Sequence, residues 1–337
     1  MRSARQAGSV SLSVLALLVF CAAAGAGGIL VMSTSLLHER ASVAAYARRH
    51  SLEGEAELVV AILLRDPTPE SDSPLDPVWT EVRTPALAGV QVKLSDISSA
   101  LNPNWVQKNP LQKTGLKSLL LSIDNADALQ QRREDRGFSI DLRRAYGDLF
   151  VEGALEKYFT AYGYANLNVT DEFALRKLYA ARTGDEPGSE LFHTRIQGLL
   201  AQKRTLRADQ LREFMGIDFE RLFPVINVAP CMNVHFVEPL LLSELLAYPD
   251  LKVPDPVETT RRILDARTSS ELGLSDLHRI IGAPPESRIF DYFGVSTWFW
   301  KIVVANEAAR VEVIAARLPG EPGAARRIQI VEQRGVK

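Results

Sequence analysis

The sequence predicts an α+β protein in which a long amino-terminal helix packs on a small antiparallel sheet, with a large all-α insert between the first strand and the others. Three observations predict it. Gln6 to Leu37 contains no charged residue, and a helical apolar pattern carries on from there to Leu64. The end of the chain changes to strand periodicity, and one earlier segment near Val90 shares it. Between them a basic helical stretch, a link and a second helix ending in glycine recur three times, roughly 60 residues apart.

The first element follows from length. At 1.5 Å per residue a helix crosses a bilayer with roughly 20 apolar residues, and this run supplies more. Residues 9–37 are expected to be the membrane half of the helix and residues 38–65 its outer half. Leu52, Ala56, Val59 and Leu63 recur at spacings of four, three and four and form one stripe to bury, with Glu53, Glu55 and Glu57 mainly off it. Pro67 limits the helix. Gly25, Gly27 and Gly28 each cost about 1 kcal/mol of helix propensity, and their use is close approach of another helix. Arg2 and Arg5 precede the run and the charges after it are mixed (His38, Glu39, Arg40), so the short amino end is expected in the cytoplasm and the rest in the periplasm.

Residues 66–100 read as a connector and first strand. Pro67, Pro69, Pro74, Pro77 and Pro85 argue a surface stretch without regular structure, and Val90, Val92 and Leu94 then alternate with polar neighbours. Residues 101–285 form the helical insert, its repeats ending near 147, 216 and 282. Leu129 to Gly147, Ile196 to Gly216 and Ile263 to Gly282 share the pattern. Ser139, Ala208 or Ser275 with the neighbouring Asp141, Asp209 or Asp276 would start each second helix, and the glycine would end it in a left-handed conformation. An asparagine motif stands ahead of each unit: Leu101-Asn-Pro-Asn104, Asn166-Leu-Asn168 and Ile226-Asn227-Val228. Residues 286–337 supply three strands, around Thr297–Ala305, Val311–Ala315 and Ile328–Ile330, with turns at Asn306–Ala309 and Pro319–Gly323. The Val90 strand adds a fourth, and the helix stripe covers their apolar face. Trp298, Phe299 and Trp300 read as sheet and core.

Composition excludes several functions. A net charge of −2 over 337 residues gives no field for nucleic acid. Cys21 and Cys231 are the two cysteines, one in the apolar run and one far from it, which rules out a disulfide scaffold. His38, His50, His193, His235 and His278 fall in unrelated contexts without a ligand or triad pattern, so no catalytic residue is assigned. Paired helices of this kind are similar to helix-hairpin-helix modules that hold DNA phosphates, yet the loops here, Asp124–Asp127, Thr183–Glu190 and Tyr248–Asp255, carry acid. A phosphate would be repelled. Asp124 with Asp127, or Asp185 with Glu186 and Glu190, could instead offer oxygens to calcium, although no EF-hand loop is present.

The start of the chain admits a secretory signal, a plain anchor or a third reading. In the third, a short basic leader ends at Gly8 and the apolar run begins at Ser9, which resembles the class III leader of the type IV pilin and pseudopilin superfamily. By that resemblance prepilin peptidase cuts between Gly8 and Ser9, taking the net charge to −4 as Arg2 and Arg5 leave. The fifth mature position, where the superfamily carries Glu, is Ser13. That departure resembles the K-type minor pseudopilins of type II secretion systems (the general secretion pathway protein K family), as does Asp96 through Trp105, with Leu101-Asn-Pro-Asn104 opening the insert. The resemblance implies a tip component of a periplasmic fibre whose apical place makes the carboxylate unnecessary. It implies a single-pass inner-membrane location, methylation among the modifications, and three classes of partner: I- and J-type minor pseudopilins, the inner-membrane platform and prepilin peptidase. No cofactor is expected beyond the calcium considered above. The alternative is a membrane-anchored helix-hairpin-helix protein for DNA uptake.

Overall fold

The computed structural model describes residues 3–68, 70–202, 205–319 and 327–336. One helix, α1 (Ser3–Leu64), makes up the first 62 of them and is about 90 Å long at 1.5 Å per residue. It stops where Pro67 disfavours helix in the residue before it, the last turn closing through Arg65 N–H to Ile62 O at 3.0 Å. The expected membrane half, residues 9–37, falls for the most part on positions whose side chains lie outside the described residues. Among the described residues no helix is long and apolar enough to cross a membrane.

The stripe is buried as its spacing requires. Leu52, Ala56, Val59 and Leu63 lie against Trp300, Ile302, Val304, Val311 and Val313 of the sheet. At about 1.5–3 kcal/mol per buried aliphatic side chain, this face supplies on the order of 10 kcal/mol before entropy. One of the three glutamates departs from expectation. Glu55 is buried and accepts the Ala86 N–H at 2.8 Å, tying the connector to the helix. The connector is also not irregular throughout: Asp76 Oδ1 takes the Val78 N–H at 2.9 Å and starts a short helix, α2 (Pro77–Val82). Proline at the first helical position suits that start. Val78, Trp79 and Val82 of α2 join the core under α1.

Four strands form an antiparallel sheet in the order β1 (Gln91–Asp96), β2 (Phe299–Ala305), β3 (Arg310–Leu318) and β4 (Arg327–Val336). Leu94 faces Ile302, and Ile302 faces Val313. In β4 the pairing skips Val331, since Ile314 faces Glu332 while Ala315 faces Ile330. The centre of β3 is covered on both sides. Val311, Val313 and Ala315 meet α1, whereas Ile314 and Ala316 meet Tyr164, Ala229 and Phe299.

The insert is built from three units held by one repeated device. Asn102, Asn166 and Asn233 each accept, through Oδ1, the N–H two residues on, at 3.0, 2.9 and 3.0 Å. The residue two on then reaches the link between the unit's later helices. Asn104 takes Ser139 N–H (2.9 Å) and donates to Ser139 O (2.9 Å); Asn168 does the same at Leu206 (2.8 and 3.0 Å). In the third unit His235 stands in that place, its Nε2 3.2 Å from both N and O of Leu272. An amide serves an N–H and a C=O at once; a single ring nitrogen serves one of them.

Each unit closes by pairing its end, in parallel, with its beginning. Leu101 bridges Phe159, Asn166 pairs with Asn227, and Asn233 pairs with Gly294. Asn227 therefore belongs to the close of the second unit, and the third opens at Asn233-Val-His235 rather than at Ile226-Asn227-Val228. Its Oδ1 binds Ala229 N–H at 2.8 Å in a local turn, which is why it resembled the opening motif. Gly294 meets Pro230 closely enough that an added Cβ would lie 2.8 Å from the ring.

The helix ends also differ in part from expectation. Asp141 caps Leu142–Tyr146 through Arg144 N–H at 3.0 Å. Asp209 lies inside the turn Ala208–Gln210 and faces Arg207 at 3.4 Å, while Asp276 reaches back to Gly273 N–H at 3.4 Å. Ser139, Ala208 and Ser275 are not the caps. Gly282 is left-handed, at φ 68° and ψ 20°; Gly216 has a positive φ of 62° but ψ −130°, and Gly147 has φ −56° because the chain runs straight into the turn Gly147–Leu149. The three units do not make three equal cores. The first and third pack together, from Leu101 to Phe159 with Met232 to Val295, and the second holds its own core around Leu175, Ile196, Leu211 and Leu222.

Removing one amide tie strands buried backbone groups, so Asn168→Ala is expected to destabilise the chain by about 2–4 kcal/mol. Urea unfolding checks it, and a loss below about 1 kcal/mol would deny the tie its role. Gly294→Ala is expected to cost about 1–3 kcal/mol through the clash with Pro230 in the same assay.

Candidate functional site

The residues singled out for processing lie in the first turns of α1. Gly8, Ser9 and Ser13 are within the helix, with side chains outside the described residues, and Arg2 lies outside the described residues altogether. Further along, Thr34 to Ser51 is exposed apart from a half-buried Ala44, with Leu36, Leu37, Val43 and Tyr46 open to solvent. Among the described side chains, α1 packs on the sheet from Leu52 onward.

The acidic loops read as calcium candidates are committed elsewhere. Asp127 accepts from Lys108 Nζ (2.9 Å) and Gln112 Nε2 (3.4 Å), and Asp124 sits at the start of helix Asn125–Arg136 without a capping bond. Asp185 holds Gly188 N–H at 2.9 Å. Glu186 and Glu190 both face Arg176, at 3.6 and 2.7 Å. Neither set converges.

A different group of acids does. Among the described residues, Asp66, Asp72 and Asp76 are the one set of three or more His, Cys, Asp or Glu side chains close enough to share an ion, with one oxygen of each within 4.8 Å of the others. All three are buried. They come from the end of α1, the connector and the cap of α2, and meet Arg317 from β3. Arg317 clasps Asp72 through two nitrogens (2.7 and 3.0 Å) and approaches Asp66 Oδ2 at 3.5 Å, its guanidinium lying over the Trp300 ring at 4.7 Å. Asp72 also takes Thr297 N–H (2.7 Å), while its backbone O accepts from Asn233 Nδ2 (2.8 Å). Thr297 in turn donates to Asp96 Oδ2 at 2.6 Å. Burial pushes the Asp72 and Asp76 carboxyls up to about 6, the arginine opposing this at Asp72.

Sequence reasoning read this stretch as a plain connector. The Asp-Pro pair at Asp76 was a helix-start signal available to it; Arg317, 245 residues from Asp72, left none.

A groove of about 500 Å³ between sheet and insert is lined by Tyr162, Lys301, Glu312, Glu332 and Arg334. Its charges are spent on one another, Lys301 on Glu312 at 2.8 Å and Tyr162 on Glu332 at 3.0 Å. His193 lies 3.8 Å from Glu172, and His235 is occupied in the third tie.

No family model matches the chain, and no curated protein matches it. Among solved structures it is similar to a chain of the crystal structure of the GspK-GspI-GspJ complex from the enterotoxigenic Escherichia coli Type 2 Secretion System. The identity is 12%, the match covers 87% of this chain and 98% of that one, and the TM-score is 0.32.

The contact between the second and third units carries a titratable group. Asp291 is half-buried and accepts from Asn168 Nδ2 (2.8 Å), and desolvation pushes its carboxyl up to about 6. A raised folded value means that its ionisation opposes folding: its contribution is whole below about 4 and is lost as pH rises through about 6. Asp291→Asn should therefore gain about 2–3 kcal/mol on the parent between pH 4 and pH 7.5 in urea unfolding. A difference that stays flat across that range would contradict it.

Proposed function

We propose that this chain is a minor pseudopilin of the K type, which caps the tip of a short periplasmic fibre in a type II secretion system and helps to start its assembly. The observation that carries this reading is the division of α1: Leu52 to Leu64 holds the sheet, while Thr34 to Ser51 is exposed and the uncharged run begins well before it, at Gln6. A helix so arranged is suited to bundling with others of its kind, its lower part in the inner membrane. The insert of residues 101–285 is then a head too large for another subunit to stack above.

In this reading prepilin peptidase cuts between Gly8 and Ser9, and Ser13 leaves the fifth mature position neutral. The partners are minor pseudopilins of the I and J types and the inner-membrane platform. The carboxy-terminal part lies in the periplasm. The reading rests on the residues of the chain itself.

Mass spectrometry of the chain made with and without prepilin peptidase tests it. The expected product starts at Ser9 with the enzyme and at Met1 without it, and Gly8→Leu abolishes the difference. A chain that keeps Met1 in both, or is cut on the far side of the membrane, overturns the proposal. A salt-dependent DNA shift with no binding to two pseudopilin partners would favour a role in DNA uptake instead.

A further inference from the structure

His235 makes the third unit's tie with a group unlike the other two, and its surroundings fix where its proton sits. The ring is buried, and Nε2 lies 3.2 Å from both the N and the O of Leu272. Leu272 O already accepts from Ser71 Oγ at 3.0 Å, whereas Leu272 N–H has the ring nitrogen as its acceptor. Nε2 therefore carries the lone pair and Nδ1 the proton. Among the described residues Nδ1 has no hydrogen-bond partner in its buried place. The opposite tautomer would strand Leu272 N–H as well, and a buried polar group left so is costly.

A second proton would undo the tie. Nε2 would turn from acceptor to donor, Leu272 N–H would lose its acceptor, and a positive charge would stand inside the protein. The charged groups around the ring do not favour that charge. Arg267 of helix Pro256–Ser269 donates Nη1 to Val234 O (3.1 Å) and Val237 O (2.8 Å), on either side of His235 in the chain, so a cation already stands beside the ring. The acids of the neighbouring elements are directed elsewhere: Asp72 of the connector is clasped by Arg317, Glu238 at the start of the next helix faces Lys157 at 3.6 Å, and Glu271 of the link acts on Asp76. Burial and Arg267 hold the imidazole below its usual value of 6.5, with the Leu272 carbonyl opposing them.

We propose that His235 is an acid-released latch between the third unit and the connector. Neutral, it holds Leu272 N–H while Leu272 O holds Ser71, so the opening turn Asn233–His235, the link at Leu272 and the connector meet at one point. Protonated, it frees the Leu272 amide, and the link loosens where the connector is fastened to it. The other two units are internal controls. Asn104 at Ser139 and Asn168 at Leu206 make the same tie with an amide, which does not titrate. Because the folded value of His235 lies below the unfolded one, the latch's contribution is whole well above about 6.5 and is lost as pH falls below it.

The test compares the full chain in mild detergent with His235→Gln, whose amide reaches about as far as Nε2 and serves an N–H and a C=O without titrating. In urea unfolding from pH 7.5 to pH 5, the parent's unfolding constant should rise about five- to thirtyfold more than the variant's. Taking the difference removes Asp72, Asp76 and Asp291, whose carboxyls titrate in both chains. Amide exchange around Leu272, followed by mass spectrometry, should quicken with acid in the parent relative to the variant at the same pH, while exchange around Leu206 stays equal in the two. Should His235→Gln fail to fold, NMR of the parent with isotope-labelled histidine still decides, the other histidines being assigned by replacing them one at a time. The His235 ring should carry its proton on Nδ1 and stay neutral below pH 6.5. A difference that is flat with pH, exchange at Leu272 that the variant leaves unaltered, or a ring protonated on Nε2 at neutral pH would each overturn the latch.

Discussion

The buried pairing of Arg317 with Asp72 is the constraint on which the architecture depends. One side chain comes from the end of an inner strand and the other from the connector, and among the described residues Arg317 and Thr297 N–H satisfy the carboxylate. Because Asp72 O also receives Asn233 Nδ2, the pair joins the sheet to the opening turn of the third unit. A buried ion pair is weak evidence of net stability, but breaking one leaves a bare charge inside, which costs far more than a surface pair does. The arrangement is therefore better understood as fixing geometry: sheet, connector and insert can satisfy their polar groups only in this mutual position.

Legibility in the sequence divided along the line between local and distant causes. The stripe Leu52, Ala56, Val59, Leu63 was readable because helical spacing puts it on one face, and the alternation of Val311, Val313 and Ala315 because a strand repeats every two residues. The insert's period was visible, but its register was not. Asn227 and Asn233 stand six residues apart and both make local turns, and only the parallel pairing shows which one closes a unit and which one opens the next. His235 in the place of an asparagine hid the third motif further. Glu55 escaped because a carboxylate reads as solvent-facing unless its partner is known, and that partner is the backbone N–H of Ala86 in the connector. The acidic node escaped for the same reason on a larger scale.

Fusion of the first and third units into one core explains how a chain of local repeats gives a single head. The second unit is looped out between them, and its Asn166 and Asn168 reach Asp291 at the end of the third. Stability is then distributed unequally: the shared core spans residues far apart in sequence, while the second unit's core is local. Local openings are expected to begin in the second unit, whose core contacts are nearest in sequence.

Two sets of acids with opposite fates show how solvation, rather than sequence, decides what a carboxylate does. The acids at Asp124–Asp127 and Asp185–Glu190 are clustered in sequence, yet water and nearby cations make each of them cheap, and salt bridges of that exposed kind contribute at most about 1 kcal/mol. Asp66, Asp72 and Asp76 are scattered through a proline-rich stretch and look unremarkable, yet the packing of α1 and α2 on the sheet removes the water from all three at once. The interior converts their proximity into a cost that surface acids never meet. A folded chain that keeps such a cost has to offset it at the same place, and here Arg317, which clasps Asp72 and approaches Asp66, and the N–H groups of Thr297, Thr68 and Val78 do so.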